Sequence, residues 1–136
     1  MSTRKIKALG EIALRVNDLE LMQEFYEKVI GLELMQRFPK AAFFKIAEGY
    51  AGHTQIVALF DRKEQADYEG LSAVQTTVDH FAFTIVVSEY EAERKRLEAL
   101  GLGVNVAEHT WVHWRSLYVF DPEGNEVELV CYDKSV

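Results

Sequence analysis

The sequence predicts an α+β fold of two βαβββ modules, forming a curved mixed sheet around a cavity with the helices outside. Three observations predict it. First, the chain nearly repeats itself: Glu11-Ile12-Ala13-Leu14-Arg15-Val16 opens a pattern that ends at Gly31-Leu32. His80-Phe81-Ala82-Phe83-Thr84-Ile85 reopens it, ending at Gly101-Leu102. The offsets agree, since 80 − 11 = 69, 101 − 31 = 70 and, for the late strands Ile56–Phe60 and Glu126–Val130, 128 − 58 = 70. Second, each copy sets one helical segment among short β-rich runs. Third, Asp121-Pro122-Glu123-Gly124-Asn125 is a strong turn between two such runs and predicts a hairpin. The 136 residues are read as one domain of two modules, about 8–60 and 78–133, joined by a polar, charged connector about 61–77 with room for a helical turn.

The elements follow in order. Residues 9–16 alternate as a strand. Asn17 or Asp18 caps the next helix, and Asn17 with Glu20 has the spacing of a capping box. Met22, Phe25, Tyr26, Val29 and Ile30 form an amphipathic stripe, and Gly31 stops the helix. Strands are expected near 32–38, 42–47 and 54–60, broken by Pro39, Gly49 and Gly52. In the second copy a strand covers about 79–87, Ser88 with Glu91 makes a capping box, and Gly101 is the helix stop. The stripe of this helix is weaker, because Glu93 and Arg94 fall among Tyr90, Leu97 and Leu100. Strands near 103–108, 114–120 and 126–132 complete it.

Strand alternation sorts the side chains. Glu11, Ala13 and Arg15 share one face, and Ile12, Leu14 and Val16 the helix-facing other. His80, Ala82 and Thr84 oppose Phe81, Phe83 and Ile85, and Tyr118 should meet Glu128 across the hairpin. The four equivalent repeat positions hold Glu11, Ala58, His80 and Glu128, of which three can ligate a metal. Each has an ordinary reading as well: His80 as a hydrogen-bonded strand residue, Glu11 neutralised by Arg15, Glu128 as a solvated carboxylate. Their matched placement favours a shared site. His53, His109 and His113 are read as rim or surface residues by default. His109, Trp111, His113 and Trp114 can also form a wall of a substrate cavity, and Arg15 is preferred over Arg115 for holding an anionic substrate.

Composition narrows the partners. The net charge of −7 argues against nucleic acid and anionic membranes. No stretch approaches a membrane span, and the start lacks the apolar run of a signal peptide. The single Cys131 excludes an intrachain disulfide, suits a reducing, cytoplasmic setting and is expected to pack as a small apolar residue.

With these residues in hand the chain resembles the vicinal oxygen chelate superfamily, which contains glyoxalase I, extradiol dioxygenases, fosfomycin resistance enzymes and bleomycin-binding proteins. The resemblance rests on Ile12-Ala13-Leu14-Arg15-Val16 with Asp18-Leu19, Phe25-Tyr26, Gly31-Leu32, His80-Phe81-Ala82-Phe83, Ser116-Leu117-Tyr118, Asp121-Pro122-Glu123-Gly124-Asn125 and Val127-Glu128-Leu129, in the family's order along nearly the whole chain. It implies metal ligands at Glu11, His80 and Glu128. Glu11 stands where the family usually has His, and Ala58 where glyoxalase I-like members carry Glu. It also implies bidentate chelation by the substrate, proton movement and a homodimer. The residues themselves offer Tyr118 and Glu128 as catalytic groups and Arg15, Trp111, His113 and Trp114 as substrate-binding groups, and two carboxylates with one imidazole suit a divalent Fe, Mn, Ni or Zn ion. The fold alone does not choose the reaction.

The expected function is therefore a metal-dependent enzyme whose small-molecule substrate chelates the ion through vicinal oxygens. Ala58 places it nearer the dioxygenases than glyoxalase I. The alternative is a metal-free small-molecule binding or resistance protein of the same fold, and a third reading is an accessory module without activity.

Overall fold

The computed structural model describes residues 5–63 and 76–136. The connector expected at about 61–77 therefore lies mostly outside the described residues, as does its helical turn. The chain divides into two compact units, Met1–Gly70 and Leu71–Val136. Each is a βαβββ module with a four-stranded mixed sheet.

In the first module, β1 (Glu11–Val16) leads into α1 (Leu19–Glu24), followed by β2 (Glu33–Phe38), β3 (Ala41–Ala47) and β4 (Gln55–Asp61). The sheet order is β1-β4-β3-β2, with β1 and β4 parallel and the other pairs antiparallel. Parallel pairing requires a crossover, and α1 supplies its helix. Its apolar side buries Leu19, Met22, Phe25 and Tyr26 against Val16, Phe44, Val57 and Leu59, none more than 5% exposed. Burying a side chain of this size contributes roughly 1.5–3 kcal/mol, so this interface anchors the module. Arg37 on β2 reaches the helix as well, donating to Gln23 at 2.6 Å and pairing with Glu20.

Of the two expected caps the helix uses Asp18, which has the extended backbone a cap needs and accepts from the Leu21 N–H at 3.1 Å. The winding of the helix departs from expectation. The regular helix ends at Glu24 and continues as a π-helical stretch over Phe25–Ile30. A π turn takes more residues than an α turn, so it rotates Val29 and Ile30 partly off the core, and both are only half-buried. Gly31, at φ +92, stops the helix as expected; its N–H and that of Leu32 both donate to the Tyr26 carbonyl.

The second module repeats the plan with β5 (His80–Thr84), α2 (Tyr90–Ala99), β6 (Asn105–His109), β7 (Trp114–Phe120) and β8 (Glu126–Tyr132), in the order β5-β8-β7-β6. The Ser88 capping box is not formed. Val87–Glu89 is a 3₁₀ turn, the extended residue is Val86, and Ser88 is already inside the winding. Strand β5 also ends at Thr84, short of the expected 87. Despite its weak stripe, α2 is held by Tyr90 and Leu97, both buried, and Leu100 is left exposed. At Gly101, φ +83, paired bonds from Gly101 to Glu98 and Leu102 to Leu97 close the helix end. The 121–125 turn is as predicted: Asp121 Oδ1 accepts from the N–H groups of Glu123 and Asn125, both at 2.9 Å, and Gly124 takes φ +86. Cys131 is buried in the core. Among the described residues no helix is long and apolar enough to cross a membrane.

Candidate functional site

The helix-facing side of β7 and β8 carries Leu117, Val119, Val127, Leu129 and Cys131, all buried. Alternation sends Ser116, Tyr118, Glu126 and Glu128 to the opposite side, where parallel pairing sets His80 beside Glu126 and Ala82 beside Glu128. Tyr118 pairs directly with Glu128, as the sequence predicts.

The side chains converge on Glu128. Its carboxylate is 5% exposed and uses both oxygens. Ser116 Oγ donates to Oε2 at 2.5 Å, and His80 Nε2 lies 3.1 Å from Oε1. His80 Nδ1 lies 2.7 Å from Asp79 Oδ2. The His80 and Tyr118 rings meet edge-on at 6.0 Å, and the Tyr118 hydroxyl shares a 3.0 Å hydrogen bond with His109 Nε2. Tyr118 is paired with Asn105 and His109 with Trp114, so that bond spans the row between them. Ala107 and Ser116 occupy that row, and both are small enough to let the two long side chains lean over them.

The electrostatics follow from these contacts. The hydrogen bond that His80 donates to Asp79 holds the imidazolium above the ordinary histidine value; burial opposes it and Glu128 adds to it. Burial pushes the Tyr118 phenol up, with the neighbouring Glu128 charge in the same direction. An imidazole that donates Nδ1–H to Asp79 directs Nε2 at a buried carboxylate. Two electron-rich groups 3.1 Å apart require a shared cation, either a proton or a metal ion. The donor set thus fits a hard or borderline divalent ion. A second grouping shares the histidine: one ligand atom each from Asp79, His80 and Glu126 lies within 4.8 Å of the others. The Asp79 side chain is 92% exposed, whereas Glu128 is enclosed and anchored by Ser116. The pair at Nε2 is accordingly the better-built half-site, with Asp79 orienting the ring.

The other candidates are placed as follows. Glu11 and Arg15 lie on the first module's β1, both exposed and with no ion pair between them among the described residues. The register of Glu11 within its own sheet is equivalent to that of His80 in the other, because Ala13 pairs with Ala58 as Ala82 pairs with Glu128. Trp114 lies on the face of Ser116 and Tyr118 and is 42% exposed. Trp111 sits in the preceding turn, 82% exposed, its ring 6.4 Å from that of Trp114. His113, at φ +62, is turned to the C-terminal tail, with Nδ1 2.6 Å from the Val136 carbonyl and its ring against Tyr132. Arg115 lies off the Tyr118 face, as alternation requires, with its guanidinium 4.1 Å over the Tyr90 ring. Ser116 and Asp79 are participants that the sequence reading did not select, and His109, offered there only as a rim or cavity-wall residue, bonds Tyr118. The spacing of Ser116, two before Tyr118, is the signal that would have found it.

Comparison with known proteins gives a consistent picture. The profile of the Glyoxalase/Bleomycin resistance protein/Dioxygenase superfamily matches residues 8–129. The chain is similar in structure to a lactoylglutathione lyase from Agrobacterium tumefaciens, at 30% identity and TM-score 0.71, covering 94% of this chain and 96% of that one. It is also similar to the fosfomycin resistance protein FosX from Listeria monocytogenes, at 26% identity and TM-score 0.66, covering 91% and 89%. That relative was solved as a glutamate-to-glutamine mutant with Mn(II) and 1S,2S-dihydroxypropylphosphonic acid. By sequence the chain is 25% identical over 124 residues to the glutathione transferase FosA of Serratia marcescens, covering 91% of this chain and 80% of the relative.

Proposed function

The chain belongs to the Glyoxalase/Bleomycin resistance protein/Dioxygenase superfamily, and on that premise we propose that it is a metal-dependent enzyme whose small substrate chelates the ion through vicinal oxygens. The observation that carries the reading is the His80 Nε2–Glu128 pair, an imidazole nitrogen and a buried carboxylate oxygen 3.1 Å apart, where a divalent ion can take the place of the bridging proton. His80 and Glu128 are proposed as ligands, with Glu11 as the third on the strength of its equivalent register to His80. When bound, a divalent Fe, Mn, Ni or Zn ion supplies Lewis-acid polarisation of the substrate oxygens.

The protein's own groups have separate tasks. Asp79 fixes the ring orientation of His80, and Ser116 fixes that of Glu128. Tyr118, whose phenol is held protonated by burial, donates a hydrogen bond or a proton to an oxygen gaining negative charge. Its link to His109 keeps the hydroxyl aimed. Arg15, Trp111, His113 and Trp114 are proposed to bind substrate. Arg15 would contribute a cation and the tryptophans apolar surface, while His113, held by the tail, would act through the shape of its turn.

For reaction class, Ala58 favours dioxygenase-like chemistry on aromatic diols over glyoxalase I chemistry, since it removes a carboxylate from the first module. A second reading is polar addition to a substrate bearing vicinal oxygens. It is favoured by the FosX relative, solved with Mn(II) and a vicinal diol. The alternative of a metal-free binding protein predicts no stoichiometric metal. We further propose a single two-module domain, a homodimer and a cytoplasmic location.

The test is metal content after purification, chelation and re-addition. One divalent ion per chain is expected, lost in His80→Ala with the circular dichroism spectrum retained. Unchanged metal content in that variant would sink the assignment. Aromatic diols with Fe(II) under oxygen, and epoxide or diol phosphonates with Mn(II), then separate the two reaction classes.

A further inference from the structure

The first module carries a second polar recess, apart from the groups discussed above. It is an open cavity of about 300 Å³ lined by Lys5, Lys7, Ala8, Leu9, Gly10, Tyr50 and His53. Its charged lining is entirely basic, in a chain whose net charge is −7. Among the described residues neither lysine has an ion-pair partner, and the His53 ring has no hydrogen bond.

The loop that supplies Tyr50 and His53 is wound with evident constraint. Ala51 occupies the left-handed region at φ 56, and Gly52 follows at φ +84. At Gly49 an added methyl would fall 1.6 Å from the His53 carbonyl oxygen, so only glycine lets the loop close on itself. The His53 ring then packs on the Gly10 backbone, where an added methyl would meet Cε1 at 3.2 Å. The Gly10 carbonyl is itself fixed by the Ile56 N–H at 2.9 Å. A non-glycine residue held at positive φ is sparse in proteins and clusters where a ligand contact is being shaped. Here the result is an imidazole and a phenol set beside two uncompensated ammonium groups.

We propose that this recess binds the dianionic headgroup of a small organic phosphate. Lys5 and Lys7 would neutralise the charge, His53 would donate from its ring, and Leu9 and Tyr50 would contact the carbon portion. No residue that lines the recess is a proposed metal ligand, and phosphate binding and metal content are read separately, so either assignment can fail without the other.

The test is amide-resolved NMR of the labelled full chain, titrated with inorganic phosphate and then phenyl phosphate, against chloride at equal ionic strength. Saturable shifts are expected at Lys7, Gly10, Tyr50 and His53, with at least tenfold weaker binding when Lys5→Ala and Lys7→Ala are combined. Phenyl phosphate should bind several-fold tighter than phosphate, and Tyr50→Ala should remove that gain. Absence of saturation in the wild type, identical shifts with chloride, or unchanged affinity in the double variant would each overturn the site. Equal affinity for the two phosphates would overturn the organic-phosphate assignment. Because the wild-type titration is decisive on its own, a poorly folded variant does not rescue the idea.

Discussion

The two modules share a topology and a register, yet differ in what stands on the sheet face away from the helix. In the second module one row reads Ala82, Glu128, Tyr118; the matching row of the first reads Ala13, Ala58, Phe43. One row along, Ser116 and Val130 answer Ala41 and Phe60. Each oxygen that holds or flanks Glu128 thus has a carbon counterpart. Where the second module has a hydrogen-bonded cluster, the first has a chain of edge-on rings, Phe38 to Phe43 at 5.9 Å and Phe43 to Phe60 at 5.7 Å. The helix-facing rows are alike: Ile12, Val57 and Phe44 against Phe81, Val127 and Val119. The lesson is that the helix interface holds the fold, which leaves the other face free to carry either chemistry or apolar surface.

The sharpest way to break this comparison is to move the carboxylate. Ala58 is fully buried, and its register partners on the two neighbouring strands are Ala13 and Phe43. Ala58→Glu should destabilise the protein by roughly 3–5 kcal/mol, the cost of an unpaired buried charge. Urea unfolding of the variant reads this directly. A loss under about 1 kcal/mol would mean that the first module tolerates the charge as the second does. Adding Ala41→Ser should recover part of the loss.

Next in size is the removal of the hydroxyl that Glu128 depends on. Ser116→Ala leaves one carboxylate oxygen without its donor and should cost about 1.5–3 kcal/mol. The equivalent position in the first module is already alanine, at no such cost, so an unchanged midpoint would show that Glu128 is solvated rather than held. Tyr118→Phe copies the first module's residue into the second. It removes the hydroxyl that bonds His109, and a loss of about 0.5–1.5 kcal/mol is expected, together with a larger loss of any turnover. Turnover equal to wild type would remove Tyr118 from the catalytic role.

The smallest effect concerns the tail that follows β8. The Ser135 hydroxyl, donating at 2.6 Å, holds the Asp133 carboxyl below its ordinary value, and Arg115 acts in the same direction. A carboxyl lowered on folding stabilises the protein above the unfolded-state value and loses that contribution as pH falls through the folded one. The wild type should therefore lose slightly more stability than Asp133→Asn between about pH 4 and pH 2. Parallel acid titrations of the two proteins would show Asp133 to be inert.

Much of the architecture was legible in residue order because it rests on local rules. The strand alternation of Glu11–Val16, the stops at Gly31 and Gly101 and the 121–125 turn each depend on neighbours a few residues away, and the repeat offset is read from the recurrence of such local patterns. The facing of Tyr118 and Glu128 followed from hairpin parity alone. Where local rules competed, the reading slipped. Asn17 and Asp18 are both good caps, and only the backbone around Asp18 chose between them. Ser88 has the spacing of a capping box, but the 3₁₀ turn begins one residue earlier, at Val87.

The sequence by itself determined the duplicated α+β plan, the placement of Glu128 and His80 on the side of their strands away from the helix, and the departure at Ala58. These are properties of period and composition. Only the tertiary structure decided that Ser116 and His80 take separate oxygens of one buried carboxylate, that His109 rather than His113 meets Tyr118, and that the tail claims His113. The physical reason is reach. A hydrogen bond between side chains on different strands depends on how far each leans, on the small residues between them and on what else competes for the donor, and none of these is written in the spacing of residues along one strand.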